Sequence, residues 1–164
     1  MSFHMHLRAV PAGEVRADAV WLETFMRDAW DAHAVESAAG VSTSIEKDFG
    51  VVGQLHSAAV SLDESDGGSC ELAVYGGRVV DVLGGRRPPF VLLGPEEVRE
   101  AAAFLDRADF DALWAMMGAR LAGPGSGTDE DELRQHIRGH HVRLQGFYRR
   151  AAAAGYEVVK AFWY

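Results

Sequence analysis

Seven histidines are the side chains of this 164-residue sequence that best suit proton transfer or metal binding at neutral pH. His136 and His140 stand four residues apart, a spacing that puts both on one face of a helix, where they can bind a single metal ion. Glu132 stands one helical turn earlier. Metalloproteases with paired histidines also require a glutamate directly after the first histidine, and Ile137 occupies that position. We therefore interpret the stripe as a solvated polar face and predict no metal and no cofactor.

His56 is a second candidate for acid–base chemistry. A histidine near a helix end can act as a general base, with a carboxylate such as Glu46 as its partner. The structural alternative is a histidine at the edge of the core that hydrogen-bonds to backbone, because His56 shares a helical face with Phe49 and Val52. We favour the structural alternative. The catalytic candidates, none with an assigned role, are His56, Glu46, His136 and His140.

Motifs for other chemistries are missing from the sequence. It contains no nucleophile elbow, P-loop, Cys-x-x-Cys pair or dinucleotide fingerprint. The turn at 84–87 is rich in glycine but lacks the strand-to-helix setting of phosphate cradles. Cys70 has no basic neighbour, so we interpret it as a small buried apolar residue. His4 and His6 share one face of a predicted strand and would join His136 and His140 only if the long helix packs on that face.

The composition excludes several classes of function. The formal net charge is -8 and the arginines are scattered, so we expect no nucleic-acid partner. We interpret the Arg86–Arg87 pair as part of a solvated loop. The single cysteine rules out an internal disulfide, and no apolar run approaches the roughly 18 residues of a membrane span. Because the N-terminus also lacks a secretory signal, we expect one cytoplasmic domain over residues 1–164, without membrane association.

The ends of the sequence are the clearest strand candidates. From Phe3 to Val10, apolar side chains recur at every second position, which is the period of a strand with one buried face. Tyr156 to Tyr164 alternates in the same way. Its consecutive aromatic residues at 162–164 must point to both faces, which suits a central strand. Two further strands are predicted at Cys70 to Tyr75 and Phe90 to Leu93, and Arg78 to Leu83 is either a partner strand or irregular.

Helical spacing and capping residues predict about five helices between these strands. Thr43 and Glu46 have the spacing of a capping box at the start of the second helix. Strands and helices do not alternate regularly, so we predict an α+β fold: a small mixed or antiparallel sheet that includes both terminal strands and is covered by helices. The predicted helices run from Asp18 to Ser37, from near Thr43 through His56, from Pro95 to Leu105, from Asp109 to Leu121 and from Asp129 to Ala154.

An ordered set of segments resembles the YfbM-like family of bacterial proteins of unknown function, and the set covers most of the chain. The resemblance implies an α+β fold in a cytosolic bacterial protein and no particular activity. Family members often carry an aromatic residue soon after the position of Lys47 and a histidine within about one turn. Phe49 fits the first feature, but His56 comes seven residues later, so the resemblance gives His56 no role. The matching segments are Met5–Pro11, Ile45–Phe49, Leu72–Gly77, Leu93–Val98 and Phe147–Ala152.

Two hypotheses for function follow from the sequence. The first is a non-catalytic binding or protein-interaction domain for an unknown protein or small-molecule partner, because a stable fold with aromatic-rich elements lacks a catalytic constellation. The alternative is a small enzyme, a hydrolase or transferase, that uses histidine and carboxylate chemistry. The sequence leaves the oligomeric state open.

Overall fold

An antiparallel sheet of five strands separates two apolar cores, with the strand order β2-β1-β5-β4-β3. The computed structural model describes residues 3–64, 67–82, 87–123 and 129–163. Parts of the sequence interpretation lie outside these ranges: the glycine-rich turn at 84–86, most of the loop at 123–128, and Tyr164. The strands are β1 (His4–Pro11), β2 (Ser42–Glu46), β3 (Arg78–Val80), β4 (Phe90–Leu93) and β5 (Tyr156–Trp163).

Seven helices within the described ranges accompany this sheet, and the α+β prediction is confirmed. The sequence predicted about five helices; the difference comes from one predicted helix that is split and from one short helix. None of the helices in the described ranges combines the length and apolar character that a bilayer crossing demands. The helices are α1 (Ala19–Asp31), α2 (His33–Ala39), α3 (Phe49–Ser57), α4 (Ser69–Leu72), α5 (Pro95–Arg107), α6 (Phe110–Ala122) and α7 (Glu130–Ala154), and a 3-10 turn follows α3 at Ala58–Ser61.

The sheet includes both terminal strands, as predicted, and the two lie side by side. β1 pairs with β5 over its full length and with β2 along its other edge. Met5 and Leu7 are fully buried in the core formed with α5 and α7. Val10 and Val159 belong to the second core, with Leu22 of α1. Because an apolar core covers each face of the sheet, these strands carry few exposed side chains.

The prediction of a helix start at Thr43 is wrong. Ser42–Glu46 is strand β2, in which Thr43 lies opposite Leu7 and Ile45 opposite Met5. The segment carries β-branched residues at alternating positions, and the free edge of β1 gives its backbone a hydrogen-bonding partner. The capping-box spacing of Thr43 and Glu46 is therefore coincidental, and α3 begins at Phe49.

The predicted helix from Asp18 to Ser37 is interrupted. Asp18 caps α1 by accepting a hydrogen bond from the amide of Trp21, as predicted. At Ala32 the backbone leaves the helical region, with φ -91° and ψ 8°. The chain changes direction there, and α2 packs beside β2.

Other local signals give the correct boundaries. Pro95 opens α5, the carboxylates of Asp109 and Asp129 cap α6 and α7, and Gly155 ends α7 in the left-handed conformation. The tight turn at Gly155 delivers the chain directly into β5. The helix that carries His136 and His140 is thereby joined to a central strand of the sheet.

The prediction of a strand at Cys70 to Tyr75 is also wrong. Cys70 is buried, as predicted, but it lies in the short helix α4, and a turn follows. The amides of Tyr75 and Gly76 both donate to the carbonyl of Glu71, which closes that turn.

A buried lysine explains why this segment is not a strand. Lys160 of β5 is fully buried, and its ammonium donates hydrogen bonds of 2.5 to 3.1 Å to the carbonyls of Leu72, Val74 and Gly76. These carbonyls converge on one cation, whereas a strand would present them to a neighbouring strand. Burial lowers the pKa of Lys160 to about 7, against an opposing effect of Glu97.

Candidate functional site

An open cleft of about 500 Å³ lies where the turn after β2 faces the middle of α7. Lys47 and Asp48 contribute to it from the turn, and His136, His140 and Arg143 from α7. The contact of β2 with α7 brings the two sides together. These residues are more than 80 positions apart in the sequence, so only the tertiary fold places them in one site.

Three potential metal ligands converge in this cleft. Nε2 of His136 lies 2.8 Å from Oδ2 of Asp48 and 3.2 Å from Nε2 of His140. Nε2 of His140 lies 3.6 Å from the same carboxylate oxygen. The ligand atoms of the three residues all lie within 4.8 Å of one another, the only such group of three or more among the described residues. Two imidazoles and a carboxylate form a donor set that transition metals accept.

Asp48 reaches the cluster from an unusual position. It stands at the N-cap of α3, where aspartate ordinarily accepts a hydrogen bond from the first turn of the helix. Here its side chain makes no capping hydrogen bond and is turned to His136 instead. The preceding residue, Lys47, has a φ of 53°, the only positive value outside glycine among the described residues. Backbone strain of this kind concentrates at functional sites.

The two histidines differ in exposure. The side chain of His136 is 58% exposed, whereas that of His140 is 4% exposed. The interpretation of Glu132, His136 and His140 as one solvated stripe is therefore wrong for His140. Burial, the Arg143 guanidinium and the His136 ring lower the pKa of His140 to about 4, against the opposing effect of Asp48. His140 is consequently neutral at pH 7, the form in which an imidazole binds metal.

Arg143 completes the arrangement one turn further along α7. Its guanidinium donates a hydrogen bond of 2.6 Å to Nδ1 of His140, on the far side of the ring from the cluster. Arg143 is exposed and lines the same cleft. The contact fixes the roles of the two ring nitrogens, because a nitrogen that accepts a hydrogen bond carries no hydrogen.

With neutral imidazole rings and an ionised Asp48, no placement of the ring hydrogens gives both close contacts of His136 a donor and an acceptor. Because Nδ1 of His140 accepts from Arg143, the single hydrogen of the neutral ring lies on Nε2 and faces Nε2 of His136. If His136 accepts it, no hydrogen is left between His136 and the Asp48 carboxylate. If His136 donates to Asp48, two N–H groups face each other across 3.2 Å. A cation bound by the three inward-facing atoms requires no hydrogen between them.

The family of this chain follows from residues 1–160, which match the family model described as a domain of unknown function, DUF1877. This chain belongs to the DUF1877 family. The crystal structure of a protein of unknown function, YfbM from Escherichia coli, is similar with 16% sequence identity and a TM-score of 0.58, over 98% of this chain and 99% of that chain. The expected YfbM-like relationship is thus confirmed, and the likeness extends to the fold alone. The comparison with curated proteins found no match.

His56, the other histidine candidate in this DUF1877 chain, belongs to a separate buried pair. Its Nε2 lies 3.1 Å from Nδ1 of His141, and the rings of Phe104 and Phe110 pack around the two. His56 is fully buried, as a structural histidine would be, but its partner is a side chain and not the expected backbone group. His141 is buried and faces the core. Burial, followed by His141, lowers the pKa of His56 to about 3.

The remaining candidates do not join the metal-ligand group. Glu46 lies exposed at the end of β2 and lines the cleft, but is not among the three converging ligands. His4 stacks on Trp30 with 4.3 Å between ring centroids. His6 is fully buried between the rings of Trp30 and His33. The strand face of His4 and His6 is therefore covered by the segment around Trp30, and α7 packs elsewhere.

Sequence interpretation missed two residues of the candidate site, Asp48 and Arg143. The signal for Asp48 was its place immediately before the apolar residues of α3, which is typical of an N-cap. The incorrect helix start at Thr43 concealed that signal. Arg143 stands three residues after His140, a spacing that brings side chains together on a helix. Asp48, which lies beside both histidines in the fold, is distant from them in sequence.

Proposed function

We propose that this protein binds a divalent transition-metal ion through Oδ2 of Asp48 and Nε2 of His136 and His140. The observation that carries the proposal is the convergence of these three atoms on one point of an open cleft. The proposal specifies the binding hypothesis, with a metal ion as the small ligand. It replaces the expectation of a chain without a metal.

The donor set favours a particular class of metal. Imidazole nitrogen suits zinc, iron, cobalt and nickel, whereas calcium and magnesium prefer sites built from oxygen. Structural zinc sites are closed by four protein ligands, and sites that exchange ligands keep at least one position open. Three protein ligands beside a cleft therefore support an ion that is accessible to a further ligand.

The orientation of Asp48 suits a metal ligand at the expense of the stability of α3. A capping aspartate contributes about 1 kcal/mol to a helix, and α3 lacks that contribution because Asp48 faces the histidines. A bound metal ion offsets this loss, since it links Asp48 to two residues of α7.

Metal titration of the purified protein tests the proposal. Isothermal titration with Zn²⁺ and Co²⁺ is expected to give one site per chain. His136→Gln and Asp48→Asn should each weaken binding at least roughly tenfold, since even changes around a metal ligand have effects of that size. Asp106→Asn is the matched control, because Asp106 is an exposed carboxylate paired with Arg149 outside the cleft.

The proposal fails if the wild-type protein binds neither ion. It also fails if both ligand variants retain wild-type affinity while they remain folded. Circular dichroism of each variant separates loss of the site from loss of the fold.

The open coordination position also supports a second candidate, a small metal-dependent hydrolase. Zinc lowers the pKa of a bound water to about 7, which supplies a nucleophile at neutral pH. The test is turnover of p-nitrophenyl acetate and p-nitrophenyl phosphate by the Zn²⁺-loaded protein, with His140→Gln as the variant. Tight metal binding without turnover of either substrate would favour the non-catalytic alternative.

A further inference from the structure

We propose that metal binding releases Arg143 from His140, and that the freed guanidinium then helps to bind a tetrahedral oxyanion of the phosphate class as a further ligand of the metal. This inference rests on the metal site proposed above. It adds a class of ligand to that site and a coupling between the ligand and the ion.

The first step concerns the two nitrogens of one ring. Arg143 donates to Nδ1 of His140, while Nε2 of the same ring faces Asp48 and His136. When a metal occupies the Nε2 lone pair, the hydrogen of the neutral imidazole must lie on Nδ1. Nδ1 then donates and no longer accepts. The guanidinium, which only donates, loses its partner and must turn away.

The second step concerns the surroundings of the released guanidinium. Arg143 is exposed and attached to a buried section of α7, so its side chain can move without disturbing the helix. Lys47 lines the same cleft, and its backbone is fixed by a hydrogen bond of 2.7 Å from its amide to the carbonyl of Phe3. The cleft therefore contains two cationic side chains near the ligand atoms.

Charge balance makes an anion favourable only once a metal is bound. The two cationic side chains, Lys47 and Arg143, are matched by the carboxylates of Glu46 and Asp48. A divalent ion adds two positive charges and engages Asp48 directly. The cleft then carries excess positive charge beside an open coordination position, and an anion is the complementary ligand.

The number of donors favours a tetrahedral anion over a carboxylate. A guanidinium presents two parallel N–H groups, Lys47 adds an ammonium, and the metal takes one oxygen directly. A planar carboxylate has two oxygen atoms, whereas phosphate has four. The cleft of about 500 Å³ also has room for a phosphate bearing an organic group.

Spectroscopy of the Co²⁺-loaded protein tests the inference, because the visible absorption of Co²⁺ reports changes among its ligands. Inorganic phosphate should change the spectrum of the wild-type protein in a saturable way. Arg143→Gln should bind Co²⁺ at least as tightly as the wild type but weaken phosphate binding at least roughly tenfold, the effect of losing a charge-assisted hydrogen bond. Arg149→Gln removes the same charge from the same helix outside the cleft, and should leave both affinities unchanged.

Several results would overturn the inference. Unchanged phosphate affinity in Arg143→Gln would show that this side chain is not a ligand for the anion. Weaker Co²⁺ binding in Arg143→Gln would show that Arg143 supports the metal ligand and does not compete with it. An equal response to acetate would contradict the tetrahedral class. Absence of any Co²⁺ spectrum in the wild-type protein would overturn the proposed metal site as well, and is thus distinguishable from the other results.

Discussion

Acidification should destabilise this protein well above the pH at which its carboxylates titrate, because two histidines are fully buried. Burial, followed by His141, holds the pKa of His56 at about 3. Burial is the main cause that lowers the pKa of His6 to about 4, and the neighbouring His33, His4 and Arg8 lower it further. An unfolded histidine has a pKa of about 6.5. Both folded values lie below the unfolded one, so unfolding takes up protons in acid. Their stabilisation is complete above pH 6.5 and is lost as the pH falls toward 4 for His6 and 3 for His56.

The size of the effect at pH 5.0 follows from proton linkage. For each histidine, every pH unit by which the working pH lies below the unfolded pKa lowers the free energy of unfolding by about 1.4 kcal/mol. Since pH 5.0 is roughly 1.5 units below the unfolded value, His6 and His56 should each reduce the free energy of unfolding by about 2 kcal/mol. His140, with a pKa of about 4, should contribute a similar amount, so the three together reduce it by about 6 kcal/mol. With a urea dependence of roughly 2 kcal/mol per molar, the unfolding midpoint should fall by about 3 M.

Urea unfolding followed by tryptophan fluorescence between pH 7.5 and 5.0 measures this change. His56→Leu and His56→Gln should each reduce the dependence on pH by about a third, even if they lower stability at every pH. Arg149→Gln, an exposed change on α7, should retain the full dependence. A midpoint that stays constant over this range, or an equal slope in both His56 variants and the wild type, would refute the reasoning.

Two further changes test the interior around the turn after α4. Lys160→Met should reduce the free energy of unfolding by about 3 kcal/mol at pH 7, because three buried carbonyls lose their donor. Urea unfolding measures the change, with Lys47→Met as the exposed control. An unchanged midpoint would contradict the role given to Lys160. Tyr148→Phe should reduce the free energy of unfolding by about 1 kcal/mol, because the buried hydroxyl donates to the carbonyls of Leu72 and Ala73. Thermal unfolding measures the change, and Tyr75→Phe, at a side chain that is about half exposed, should have less effect. Equal effects of the two changes would argue against the hydrogen bond of Tyr148.

Local signals predicted those parts of the fold that depend on neighbouring residues. Asp109, Asp129 and Gly155 mark helix ends because their own backbone or side chain satisfies the terminal peptide groups. The alternation in β1 and β5 was equally informative, because each strand has apolar residues facing a core. These features require no knowledge of the partner element.

The errors arose where a distant residue decides the local structure. Ser42–Glu46 has both capping-box spacing and strand alternation, and the free edge of β1 decides between them. The segment after Cys70 is apolar enough for a strand, but the ammonium of Lys160 gathers its carbonyls. The structures of these two segments therefore depend on residues far away in the chain.

The candidate site was predicted only in part for the same reason. The spacing of His136 and His140 was visible within one helix. Asp48, whose carboxylate lies beside both histidines, stands 88 positions before His136. The role of Arg143 depends on which ring nitrogen of His140 faces the cleft, and that orientation follows from packing.

The pairing of the two ends of the chain has a consequence for how the molecule folds. β1 and β5 are separated by more than 140 residues, so their ladder closes a loop that includes nearly all of the chain. Contacts of such high sequence separation slow folding, because the entropy of closing the loop is lost before the contact forms. β1 and β2 are much closer in sequence and can pair earlier, whereas α7 enters the sheet through β5. The side of the cleft that carries Asp48 and the side that carries the histidines should therefore meet late, when the last strand takes its place in the sheet.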